Sequence, residues 1–291
     1  MNEYFGVDPA TPSEPKELAD LCRLFGPSEG RFLMAYPDDW QARLRDHMGQ
    51  MSDFQKASAV ERINNLQHVM LPSPLRARRY DEALGWPENA LAIRDHVSRL
   101  IGRPDCPPTV QPLRKLLEDP DSFPDVRQAV IPHTVDAYLR VAEPLFLTST
   151  KIALIDRFFK LRQDSGAVDD RRRKVLAAFL KRATEGRRVR VFKLVVPAGT
   201  GPIADQYRSD LEALAQEVTG GRIQCELVTL GSALTDPLVS THARYLLGSH
   251  SGLRFDSGFD IDERSPRKSG NDVSWLSKAV LDPLLDKYFD D

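Results

Sequence analysis

The sequence predicts a mixed α/β domain over residues 146–291, a mostly parallel sheet with flanking helices, preceded by an all-α N-terminal region over residues 1–145. Three observations carry this. Past residue 150 the apolar pattern alternates between short runs and helical periods, the signature of strands joined by helical crossovers. Proline is concentrated early, with 16 of the 21 at or before Pro144. Charge divides at the same place: 17 Lys+Arg against 22 Asp+Glu in residues 1–145 (−5) leaves 23 against 20 (+3) in the remainder.

In the first part, Ser13-Glu14-Pro15 opens a helix with Leu18, Leu21, Cys22 and Phe25 in period, closed by Gly26-Pro27. Asp38-Asp39-Trp40 opens a second. Ser52-Asp53 caps a third that runs to about Val69, with Phe54, Ala57, Val60, Ile63 and Leu66 inward. Further helices are expected near 88–101, 110–118 and 133–143. His47, His68, His96 and His133 all fall in amphipathic helical patterns, and the Arg76–Tyr80 basic cluster reads as a solvated face or as a contact for nucleic acid or a partner.

In the second part, Ile152–Ile155 reads as a buried strand ending in Asp156-Arg157-Phe158-Phe159. Residues 171–184 form a helix with Val175, Leu176, Phe179, Leu180 and Ala183 inward. Val189–Val196 is a strand, Ile203–Val218 a helix closed by Gly220-Gly221, and Ile223–Thr229 a third strand. A strand from Thr241 to Leu247 and the short piece Leu253–Phe255 follow, and a helix from Asp272 to Phe289 closes the chain. In parallel sheets ligands gather beyond the carboxyl ends of the strands. Asp156 and Arg157 fall on that rim.

Composition bounds the function. Apolar content of 41% with 28% charged residues is that of a folded globular protein. No apolar run reaches the roughly 18 residues of a membrane-spanning helix, and the first residues lack the basic and apolar parts of a signal peptide. Cys22, Cys106 and Cys225 are far apart, as expected of free thiols in the cytoplasm. No histidine pair has zinc-ligand spacing. No metal and no cofactor is expected.

The chemistry concentrates in residues 241–261. His242 and Arg244 lie two apart on one strand face, where an imidazole and a two-pronged guanidinium can converge on one anion. A His and an Arg so placed also occur as a surface pair or a half-buried couple. Gly258 and Asp260 close the segment. The strand–helix order, the strand ending in Asp156-x-Phe-Phe and the late His-x-Arg followed by Gly-x-Asp together resemble the phospholipase D superfamily. The likeness is to its variant His-x-Arg members, such as the C-terminal domains of MIT-domain proteins and bacterial anti-phage and conflict proteins. It covers about residues 148–288. It implies that His242 stands at the position of a nucleophile that forms a phosphohistidine, with Arg244 in place of the lysine. Gly258 and Asp260 match the ending of variant members. Ser249 stands where active members carry aspartate, so that carboxylate is missing unless the hairpin folds Asp256 or Asp260 back to replace it, and a second histidine would have to come from a homodimer.

From Arg171 to Lys193 ten basic residues face one acid, Glu185. Arg171, Arg172, Arg173, Lys174, Lys181 and Arg182 lie on the predicted helix. They form either an ordinary solvated face or an electrostatic footprint for phosphates. Three functions remain open. The first is a non-catalytic phosphate- or nucleic-acid-binding adaptor, docked through its N-terminal helices to other subunits of an assembly such as a bacterial anti-phage complex. The second is a metal-independent dimeric phosphodiesterase. The third is a purely structural subunit. Nucleic acid is the first-choice partner and anionic lipid the second.

Overall fold

The computed structural model describes residues 1–12, 14–50, 52–73, 79–163, 165–186, 188–197, 202–230, 244–261 and 270–289. They divide into two units, Met1–Arg127 and Gln128–Asp291. The division falls before the expected boundary at 145/146 because residues 128–148 belong to the second unit. Pro144, taken as the last of the proline-rich part, lies inside a helix of that unit with Tyr138, Val141, Leu145 and Phe146 buried around it.

Unit 1 is not all-α. Its strands are β1 (Glu3–Val7), β2 (Arg31–Met34), β3 (Met70–Leu71), β4 (Arg99–Gly102) and β5 (Gln111–Pro112). They form one sheet in the order β3-β2-β1-β4-β5, and every neighbouring pair is parallel. Helices α1 (Pro15–Leu24), α2 (Trp40–His47), α3 (Asp53–Leu66) and α5 (Leu113–Glu118) supply the core on one face, where Phe5, Val7, Leu33 and Ile101 meet Leu21, Leu44, Ile63 and Leu116. Helix α4 (Trp86–Ala90) and the 3-10 turn after it cover the other face, against Met34, Tyr36 and Leu100. The strands escaped the sequence reading for a physical reason. They are only two to five residues long, too short for an alternation to show, and the inner three, β1, β2 and β4, are largely buried. The predicted helix over 88–101 is in fact α4, the 3-10 turn and β4. The helix starts at Pro15, Trp40 and Asp53 stand where expected, and Ser52 secures α3 by donating its backbone N–H to Gln55 Oε1 at 3.2 Å.

Unit 2 holds β6 (Gln128–Pro132), β7 (Lys151–Ile155), β8 (Val191–Pro197), β9 (Gln224–Leu230), β10 (Arg244–Gly248), β11 (Gly252–Phe255) and β12 (Gly270–Trp275), in the order β6-β12-β11-β10-β7-β8-β9. Strands β7, β8 and β9 are parallel, joined by helices α7 (Asp170–Gly186) and α8 (Pro202–Thr219), as the alternation predicts. The rest of the sheet is antiparallel. This corrects the expectation of a mostly parallel sheet here. The three residues between β10 and β11 allow only a hairpin, whereas a parallel crossover needs a dozen or more. The wholly parallel sheet is that of unit 1, and the mixed α/β class holds for the chain. Helix α9 (Lys278–Phe289) starts six residues later than the expected Asp272, because Gly270–Trp275 pairs with β11 and β6 as β12; it seals one face through Leu281, Leu284 and Tyr288 against Ala153, Val195 and Leu247. Helices α6 (Val135–Thr148) and α7 meet each other through Phe146 and Phe179, whose ring centroids lie 5.6 Å apart. Among the described residues, no helix is long and apolar enough to cross a membrane.

One buried polar side chain fastens a loop of unit 1. Asn89, fully buried on α4, accepts from Asp81 N–H at 2.8 Å and donates to the carbonyls of Asp81 and Gly85 at 2.8 and 3.0 Å. Asn89→Ala strips these groups of their partners without readmitting water. Urea unfolding is expected to show a loss of about 2–4 kcal/mol; a loss below about 0.5 kcal/mol would show the clamp to be dispensable.

Candidate functional site

The site lies at the carboxyl end of β7. Because β10 runs antiparallel to β7, its first residue, Arg244, reaches the rim that Asp156 occupies. Asp156 is 3% exposed. Its Oδ1 accepts the Phe158 N–H at 2.8 Å, which turns the chain sharply after the strand, and lies 3.6 Å from Arg244 Nε. Arg244 also donates through Nη1 to the Asp256 carbonyl, and its guanidinium carbon sits 4.9 Å from the Phe158 ring centroid. Arg157 holds its own guanidinium 4.9 Å from the same ring. Two cations therefore share one aromatic ring that is 37% exposed.

Gly258 closes the pair from above. Its φ of +80° is left-handed, and a Cβ there would stand 3.2 Å from Arg244 Nε and 3.3 Å from Asp156 Oδ2. Only glycine gives both the turn and the approach. The loop bearing it is tied down from the far side. Asn271, fully buried, donates to the Gly258 carbonyl at 2.7 Å and accepts from Ser257 N–H at 3.0 Å. Tyr138 donates to the Asp260 carbonyl at 2.7 Å, and His133 Nδ1 lies 2.9 Å from the Tyr138 hydroxyl. Burial pushes the Tyr138 hydroxyl up to about 12, so it stays a donor. Asn271, Tyr138 and His133 were not found from sequence. Tyr138 and His133 lie more than 120 residues from the loop they hold, and His133 precedes α6 rather than riding in a helical stripe.

The predicted site residues separate into groups. Asp156, Arg157, Arg244 and Gly258 come together. Asp260 does not face the ring: its side chain pairs with Arg172 at 3.0 Å, which brings Arg172 to the edge of the site. The basic helix is not one footprint. Arg173 pairs with Glu217 at 2.5 Å and Arg182 with Glu143 at 2.8 Å, so carboxylates from other elements neutralise half of the six. Arg171, Lys174 and Lys181 share an exposed stripe of α7. His242 lies outside the described residues, two positions before β10. Ser249 sits at the opposite end of β10, about 16 Å of strand from Arg244, where its hydroxyl accepts the Thr150 and Lys151 N–H groups at 3.0 and 3.1 Å. Position 249 is thus not where a carboxylate could meet Arg244. Asp156 supplies one, because pairing in the sheet, not sequence spacing, decides which carboxylate meets the arginine. Among the described residues no group of three or more His, Cys, Asp or Glu converges as a metal site would require.

No protein-family model matches the chain, and no curated protein matches it either. Among solved structures it is similar to a polyphosphate kinase from Porphyromonas gingivalis, at 14% identity and a TM-score of 0.33. The alignment covers 84% of this chain and 36% of that one. A superposition that loose carries no argument about the site.

Burial holds the Asp156 carboxyl above its ordinary value, outweighing the Phe158 N–H and the charges of Arg244 and Arg172. As the pH falls the folded state therefore takes up this proton before the unfolded state does. That contribution to stability is complete below the unfolded value and is lost as pH rises through the folded one. Relative to Asp156→Asn, the wild type is expected to gain stability as pH falls toward the ordinary carboxylate range; parallel pH–stability curves would contradict it. Gly258→Ala is expected to cost about 1–3 kcal/mol in chemical denaturation, and Ser257→Ala beside it less than about 0.5 kcal/mol. Equal costs would refute the close-approach argument.

Proposed function

We propose that unit 2 is a phospholipase D-like module that binds phosphate groups of nucleic acid, and acts by binding rather than by turnover. The observation that carries this reading is the set of guanidinium groups at the carboxyl end of β7. Arg157 and Arg244 flank the partly exposed Phe158, and Arg172 stands at the Asp260 edge. Arg244 is held by Asp156, the Asp256 carbonyl and the ring, so it is a fixed cation that loses little entropy on meeting an anion. Arg157 has no carboxylate within ion-pair distance among the described residues, and supplies the charge that a phosphate would neutralise. Phe158 orients both guanidinium groups toward the rim through cation–π contacts, so the phosphate meets them in a fixed arrangement.

A second reading, a metal-independent phosphodiesterase with His242 as nucleophile, is favoured by the buried Asp156 carboxyl beside Arg244. In that reading the second histidine comes from another copy of the chain.

One experiment separates the two. The full chain is incubated with labelled single-stranded DNA and RNA in EDTA, while binding is followed by fluorescence anisotropy. The proposal expects intact strands, and binding weakened about five- to thirty-fold by Arg157→Gln and again by Phe158→Ala. EDTA-resistant cleavage that disappears in His242→Ala would replace it with the phosphodiesterase reading. Binding unchanged in both Arg157→Gln and Phe158→Ala would remove the site from either.

A further inference from the structure

Unit 1 holds a groove that shares no residue with the site above. In its parallel sheet the chain leaves β1 toward β2 and β3 on one side, and leaves β4 toward β5 on the other. Where strand order reverses in this way, the outgoing loops diverge and open a crevice beyond the carboxyl ends of the two strands. The crevice is present here, with a volume of about 450 Å³, within the range of small-molecule sites. Asp8, the residue after β1, and Arg103, the residue after β4, line it from the two strands; Arg43, Asp46, His47, Tyr80 and Glu82 are among the other residues of its walls.

The charged groups on its walls are not equivalent. Arg43 is fully engaged: it bonds Asp39 at 2.8 Å and Glu82, and lies 4.7 Å from the Tyr80 ring centroid. Arg103 is half exposed and stands 3.8 Å from both Asp8 and Asp105, too far for a hydrogen bond to either. Asp8 is 3% exposed, with one oxygen accepting the Ala10 N–H at 2.9 Å and the other facing Arg103 across that gap. Burial raises its carboxyl above the ordinary range, against the pull of the Ala10 N–H, Arg103 and His47. A nearly buried acceptor and a loosely held cation thus face each other at the switch point, with the exposed His47 nearby.

We propose that this groove binds a nucleoside monophosphate, its ribose hydroxyls donating to Asp8 and its phosphate held by Arg103 and His47. The volume suits a mononucleotide better than a free amino acid. A dinucleotide is disfavoured by the β1–α1 connection. Asp8-Pro9-Ala10-Thr11-Pro12 contains no glycine to let a pyrophosphate approach the backbone, and α1 begins with Glu14 at its cap and Glu17 in its first turn. Those carboxylates repel an anion from the helix N-terminus, leaving one guanidinium and one imidazole for a single phosphate.

The test is isothermal titration of the full chain with AMP, GMP, adenosine, ribose 5-phosphate and inorganic phosphate. Expected is binding of AMP or GMP at least about tenfold tighter than that of adenosine or phosphate alone. Arg103→Gln and Asp8→Asn should each weaken it about tenfold or more, and Arg157→Gln in unit 2 should leave it unchanged. Arg103 is half exposed, so its variant carries the test even if Asp8→Asn fails to fold. The proposal is overturned if neither mononucleotide binds, if inorganic phosphate or ribose 5-phosphate binds as tightly as AMP, or if Arg103→Gln binds AMP like the wild type. Loss of AMP binding in Arg157→Gln would place the nucleotide in the unit 2 site instead and overturn it equally.

Discussion

The burial of the Asp156–Arg244 ion pair beneath Gly258 constrains everything else at the unit 2 rim. A pair so sequestered contributes little net stability as a pair, but removing one partner leaves an uncompensated charge and costs about 3–5 kcal/mol. The chain therefore has to deliver three segments to one point: the end of β7, the start of β10 and the loop after β11. Antiparallel pairing of β10 with β7 delivers the first two. Asn271, Tyr138 and His133 deliver the third by gripping the backbone at Ser257, Gly258 and Asp260. What results is a guanidinium that cannot swing away, stacked on Phe158 and edged by Arg157. Placing a fixed cation beside a freer one, around an exposed ring, is the arrangement that the phosphate-binding reading draws on.

The two units apply one topological rule in two ways. In unit 1 the strands are all parallel, so the crevice forms where the direction of winding reverses, between Asp8 and Arg103. In unit 2 the parallel strands β7, β8 and β9 meet an antiparallel half at β10, and the charged cluster forms at that junction. Each case puts a nearly buried aspartate directly after a central strand, with an arginine from the neighbouring strand beside it. They differ in exposure. Arg244 is enclosed on several sides, whereas Arg103 is half exposed and held at 3.8 Å by two carboxylates.

Legibility in the sequence followed the physics of pattern. Strands β7, β8 and β9 and helices α7 and α8 could be read because each is long and alternates with its neighbours, and Asp156 could be placed on the rim from strand order alone. The strands of unit 1 could not, since Arg31–Met34 and Arg99–Gly102, at four residues each, are too short to show a period. Sequence spacing also misled at Ser249: five residues from Arg244 along a strand means the far end of the sheet, while Asp156, 88 positions earlier, is in contact. The basic run around Arg171 looked single-signed because its carboxylate partners, Glu143, Glu217 and Asp260, come from outside it. Long-range pairing is invisible to local composition. Asn271 and Tyr138 were missed for the same reason.

The central claim is that the cations at the β7 rim neutralise phosphates, and the salt dependence of binding tests it most directly. Each phosphate neutralised on a single strand adds about 0.7 to the magnitude of the slope of log K against log salt. The account predicts that Arg157→Gln reduces that slope by about 0.7 relative to the wild type. An unchanged slope, with affinity altered or not, would contradict it.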